Sequence, residues 1–123
     1  MENSLVEITN ETEMGDIRIS EEVVAIIASV AAMEVEGVAG MSGGIAGGIA
    51  EILGRKNLSK GVKVEVGEKE AAIDVYVIIE YGSRIPEVSW NVQEKVKQRV
   101  EVMTGLNVVE VNIHIQGINF EKV

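Results

Sequence analysis

The single histidine, His114, sits in the run VNIHIQG, where apolar and polar residues alternate. An imidazole titrates near neutral pH and is the first candidate for acid–base or metal chemistry. It stands here without the usual companions. There is no second histidine and no cysteine, which removes the common zinc donor sets and all thiol chemistry. No G-x-S-x-G or Ser-His-Asp signature accompanies it. On a final strand it faces away from the core, near Tyr76, Asp74 or Glu110, and reads as a satisfied surface histidine. No residue is assigned a catalytic, metal-binding or cofactor-binding role, and no cofactor is expected.

The second candidate is glycine-rich: MSGGIAGGIAEILGRKN, Met41 to Asn57. A phosphate loop needs G-x-x-x-x-G-K-[ST], so that backbone N–H groups wrap the anion and a lysine reaches it. After Gly48 come Ile49 and Ala50 instead, and G-x-G-x-x-G is absent. Two readings remain. The glycines permit close approach to the sheet or first helix, or the segment is a weak amphipathic helix that orders on contact. Ile45, Ile49, Ile52 and Leu53 share one helical side, while Gly47 and Gly48 each cost roughly 1 kcal/mol against alanine. The partner-binding reading is adopted, with Ile45, Ile49, Arg55 and Lys56 as contact residues. Arg55, Lys56, Lys60 and Lys63 form a basic cluster that either pairs with nearby carboxylates or meets an acidic partner or lipid head group.

Trp90, the only tryptophan, completes the candidate set. It lies about 140° from the centre of the Val88/Val92/Val96 stripe at 100° per residue, beside Glu94, Lys97 and Glu101. Either another segment covers it or it is an exposed anchor for a partner.

The elements that position these residues follow from periodicity. Ser20 ahead of Glu21 and Glu22 caps a first helix that is uncharged from Val23 to Met33 and is expected to be buried on all sides. Gly37 suits a C-cap or turn after it, and GVAGM a short extended piece. Val62, Val64 and Val66, then Ile73, Val75, Val77, Ile79 and Tyr81, alternate with polar residues around the turn GEKE, which predicts an antiparallel hairpin. Pro86 opens a helix over about 86–104 with Val88, Val92, Val96, Val100 and Met103 inward, and Gly105 ends it. A last strand over about 107–117 points Val109, Val111, Ile113 and Ile115 inward. The expected fold is α+β, in the order β-α-(β)-α-β-β-α-β, a small antiparallel or mixed sheet with helices packed on one face. The outer face, with Tyr76, Ile78, Asn112, His114 and Gln116, suits a protein interface.

Composition narrows the function classes. At 123 residues with 46% apolar but 3% aromatic content, Val, Ile and Ala fill the core of one domain. A net charge of −9 opposes nucleic acid, so none is expected as a partner. No apolar run approaches the ~20 residues of a membrane span. Residues 1–15 read as a flexible acidic arm and 16–120 as one domain. The missing cysteines fit a cytoplasmic protein.

Taken in order, GRKN, SKGV, IDVYVIIEYG, IPEV, NVQEKVK and VNIHIQG resemble the alkaline shock protein family, the Gls-type general stress proteins of Gram-positive bacteria. The resemblance covers nearly all of residues 16–120. It implies a small non-catalytic cytoplasmic protein acting in envelope stress by protein contacts, in some members recruited to the membrane by an anchor protein. A shorter branch, which GRKN and HIQGINF favour, is associated with acetyl-CoA carboxylase and control of fatty acid synthesis. The partner expected is therefore an acetyl-CoA carboxylase subunit or a membrane anchor protein. A self-assembling homo-oligomer at the cytoplasmic membrane face is the alternative. An enzyme or small-ligand binder built on His114 and Tyr76 is a third.

Overall fold

The computed structural model describes residues 5–7, 14–43 and 60–120, with backbone pairing alone for 5–7. Strand β1 (Leu5–Glu7), within the stretch read as an acidic arm, pairs antiparallel with β2 (Arg18–Ser20). Helix α1 (Glu21–Met33) follows, then β3 (Val38–Met41), β4 (Val62–Val66), β5 (Glu70–Glu80), α2 (Ile85–Thr104) and β6 (Asn107–Asn119). The helix expected over the glycine-rich stretch falls outside the described residues.

The main sheet is mixed and is organised around β5. One side of β5 pairs antiparallel with β4 through residues 71–75 and with β3 through 77–79, so two short strands lie end to end along one long strand. The other side pairs with β6, parallel, from Glu70 opposite Asn107 to Glu80 opposite Asn119. Parallel neighbours need a crossover, and α2 supplies it. The two helices pack against each other on one sheet face, α1 over β3 and β4, α2 over β6.

The core is aliphatic, as the composition requires. Ile73, Val75, Val77 and Ile79 are fully buried and alternate with half-buried Ala72, Asp74, Tyr76 and Ile78. From α2 come Val88, Val92, Val96 and Val100. Tyr81, expected to continue the β5 alternation inward, lies beyond the strand end, is 75% exposed, and sets its ring 5.7 Å from that of Phe120. Ser20 caps α1 as expected, its Oγ accepting from the Val23 N–H at 3.2 Å. Gly37 makes the turn into β3 at φ +103°, a conformation that costs glycine little and other residues much.

Three further packing expectations need correction. Helix α1 is not buried on all sides: Val24, Ala25, Ile27, Ala28, Ala31 and Ala32 are buried, but Val23, Val30 and Met33 are more than 40% exposed. Sheet and α2 occupy only one flank of the helix, and no described residue forms a second layer over the other. In α2, Met103 is exposed and Thr104 is the buried residue of the last turn. The inward row advances by four residues, so after Val100 it reaches 104, about 100° from 103. In β6, Val109 is 54% exposed and Val108 is buried. Ala71 stands opposite Val108 but Ala72 opposite Glu110, so Val109 is the extra residue of a β-bulge and strict alternation resumes only after it.

Candidate functional site

The outer sheet face carries a small polar cluster. Parallel register sets Tyr76 opposite His114 and Asp74 opposite Asn112, all on the face that Ile73, Val75 and Val77 do not use. The His114 and Tyr76 rings stack, centroids 4.3 Å apart at 11°. His114 Nε2 lies 3.0 Å from Asp74 Oδ1. Asn112 Nδ2 donates to Asp74 Oδ1 at 3.2 Å and to Glu110 Oε2 at 3.3 Å. Lys63, directly across the sheet on β4, adds positive charge. The hydrogen bond from His114 is the main reason the Asp74 carboxyl is held below its ordinary value of 3.8; partial burial opposes it, and Asn112 and Lys63 reinforce it. Of the neighbours named for His114 from sequence, Tyr76 and Asp74 touch it, while Glu110 bonds to Asn112 instead.

This cluster orients the imidazole between the Asp74 carboxylate and the Tyr76 ring. Among the described residues, no group of three or more His, Cys, Asp and Glu is placed to hold a metal ion. A shallow groove of about 330 Å³ runs beside it, lined by Ser42, Gly61, Lys63, Tyr76 and Gln116. Such a face can recognise a surface through hydrogen bonds and ring contacts.

A second set of interactions, not foreseen from sequence, fixes α2 to β6. The Val108 N–H donates to Glu101 Oε2 at 2.9 Å. Lys97 Nζ donates to Glu101 Oε2 at 3.1 Å and to the Val108 carbonyl at 3.0 Å. Gln93 Nε2 donates to the Val111 carbonyl at 3.0 Å. Residues 93, 97 and 101 are one helical row, and that spacing was the available signal. The bond from Val108 is the main cause holding the Glu101 carboxyl below its ordinary 4.5. A further cluster joins the helices: Glu34 accepts from Arg99 at 2.9 and 3.5 Å and lies 3.7 Å from Lys95.

Of the residues proposed for partner binding, Ile45, Ile49, Arg55 and Lys56 lie outside the described residues. Trp90 is described and is 57% exposed. No described residue covers it as a core side chain would be covered. It stands on the helix flank that carries Lys97, within about 20° on the wheel, remote in sequence from His114.

Similarity to known proteins covers almost the whole chain. The model of the alkaline shock protein 23 family, described as of "cell envelope-related function", matches residues 9–120. YqhY of Bacillus subtilis is 44% identical over 121 residues, covering 98% of this chain and 90% of that protein. YloU of the same organism is 44% identical over 109 residues, 87% and 91% of the two chains. A protein of Streptococcus pyogenes named stress response regulator gls24 homolog is 28% identical over 109 residues, 88% of this chain and 61% of that one. Among the described residues no helix is long and apolar enough to cross a membrane.

Proposed function

The chain belongs to the alkaline shock protein 23 family, of cell envelope-related function, and from that premise we propose that it acts as a non-catalytic adaptor or regulator in envelope stress or fatty acid homeostasis, through contact with another protein. The observation that carries this reading is Trp90: the one tryptophan, more than half exposed on a helix whose other turns bury valine. A tryptophan held out in water carries a large unrecovered burial energy, and this is why it is enriched among interface hot spots. The polar cluster around His114 supports the same reading, since Asp74, Asn112 and Tyr76 hold its polar groups in a fixed arrangement at the surface. The name of the streptococcal relative agrees with a stress role.

The proposed partner is an acetyl-CoA carboxylase subunit or a small membrane anchor protein, the latter placing a cytoplasmic protein at the membrane. Ile45, Ile49, Arg55 and Lys56 are proposed to contribute to the contact on the strength of their sequence pattern. The test is in-cell crosslinking followed by affinity purification, with wild type beside Trp90→Ala. The expected result is one stoichiometric partner that Trp90→Ala reduces by tenfold or more while melting temperature is retained. Unchanged recovery from a folded Trp90→Ala protein removes Trp90 from the reading. Full complementation of cells by Trp90→Ala, with loss of function in His114→Ala, favours the small-ligand alternative.

A further inference from the structure

Among the described residues β6 is an edge strand, and its edge is guarded along only half its length. In a parallel ladder each residue turns its N–H and C=O to the same side, and successive residues alternate. Asn107 faces β5, where its N–H donates to the Lys69 carbonyl. Val108 faces outward, and both its backbone groups are taken by Glu101 and Lys97. The bulge at Val109 resets the alternation, Val111 faces outward, and its carbonyl is taken by Gln93. The next outward residues are Ile113 and Ile115. The guarding row of α2 runs 101, 97, 93; one turn further on the same flank stand Trp90 and Ser89, and neither bonds to the strand among the described residues. No described group meets the outward N–H and C=O of Ile113 or Ile115 either. A second bulge follows, with Ile115 opposite Val77 and Gly117 opposite Ile78.

Natural edges are protected by lysine, proline, inward charge or a covering segment. Residues 111–119, VNIHIQGIN, contain no proline and no charged residue, in a chain with 20 acidic residues and a net charge of −9. This is where two equally acidic copies can meet without setting carboxylate against carboxylate.

We propose that two copies of this chain associate through the outer edges of β6, antiparallel, about a two-fold axis at His114. That axis places Ile113 of each copy opposite residue 115 of the other. Both are outward-facing, so each pair exchanges two N–H···O=C bonds, four in all. The two sheets become one, and the two His114 rings stand at a non-hydrogen-bonded position with Cα atoms about 4.5 Å apart. Gln93 and the second bulge limit pairing to about residues 111–117. So short a contact lies below the standard interface size, among the weak and transient associations. The proposal draws on the β6 edge and the adaptor reading on Trp90; self-association of the pure chain and recovery of a different protein are separate readouts, so the two failures are distinguishable.

The test is analytical ultracentrifugation of the full chain between about 1 and 300 µM, with two variants. Ile115→Pro removes an outward N–H and leaves the β5 ladder its donors, while also losing a side chain packed against the core. His114→Cys, in a chain with no native cysteine, reports proximity at the axis, and Lys63→Cys on β4 is its control. The expected results are a species of twice the 13.3 kDa chain mass that grows with concentration, and a monomeric Ile115→Pro. Oxidation should trap His114→Cys as a covalent dimer at least tenfold faster than Lys63→Cys. A wild type that stays monomeric at 300 µM overturns the proposal. Equal trapping of the two cysteine variants also overturns it, and that comparison decides the matter should Ile115→Pro unfold.

Discussion

Removing the Glu101 carboxylate should loosen the attachment of β6 to α2 by a calculable amount. In Glu101→Ala the Val108 N–H loses an acceptor 2.9 Å away, and Lys97 loses its partner at 3.1 Å. A hydrogen bond to a charged group contributes about 1.5–3 kcal/mol, and an i,i+4 ion pair about 0.3–0.5. The Glu101 side chain is 31% exposed, so water reaches the orphaned N–H and the lower end applies: about 1.5–2 kcal/mol. With an unfolding entropy of about 2.1 cal/mol/K per residue, a 123-residue chain should lose roughly 6–8 °C in Tm. Glu101→Gln keeps a neutral acceptor and should lose about half as much. The native carboxyl titrates below 4.5, so its contribution is complete above that pH and disappears as pH falls through the lower, folded value. The gap between wild type and Glu101→Gln should therefore be constant from pH 8 to 5 and close below 4.5. Circular dichroism melts across that range measure it. A loss under 0.5 kcal/mol for Glu101→Ala at pH 7, or a gap that does not shrink as pH falls below 4.5, would refute the reasoning.

The remaining expectations concern packing, backbone and the polar cluster. Val96→Ala, at a position with no exposure, should cost about 2 kcal/mol in urea unfolding, whereas Val102→Ala, 75% exposed, should stay within about 0.5. Gly37→Ala must hold φ +103° and place its Cβ 2.6 Å from a Val88 methyl, while Gly82→Ala, at φ +99°, meets nothing within 4 Å. The first should lose at least about 2 kcal/mol and the second about 1, the difference being the clash alone. In NMR titrations the Asp74 carboxyl should titrate below 3.8, and His114→Ala should bring it back toward that value. An unmoved Asp74 would show that the imidazole does not hold it.

Much of this fold was legible because local patterns and global packing agree. The β4–β5 hairpin, the α2 stripe from Val88 to Val100, the Ser20 cap and the neighbours of His114 all follow from period-2 or period-3.6 spacing. Three of the failures share one cause. Val109, Met103 and Tyr81 were placed by extending a period to its end, where a bulge, a precessing row and a finished strand had changed which side is inside. The exposure of Trp90 was undecided from sequence because it depends on what else packs there.

Sequence alone determined the helix or strand character of α1, β3, β4, β5, α2 and β6, most of the aliphatic core, and the family the motifs resemble. Each of these depends on contacts within a few residues, or on identity itself, so spacing suffices. It missed β1, which lies in the stretch read as a flexible arm. Tertiary structure decided the rest. It showed that β6 runs parallel to β5, that Val109 bulges outward, and that Gln93, Lys97 and Glu101 reach the β6 edge. It also left one flank of α1, uncharged from Val23 to Met33, in water. Those facts join residues far apart along the chain, and no periodicity within an element encodes which edge or flank another element will cover.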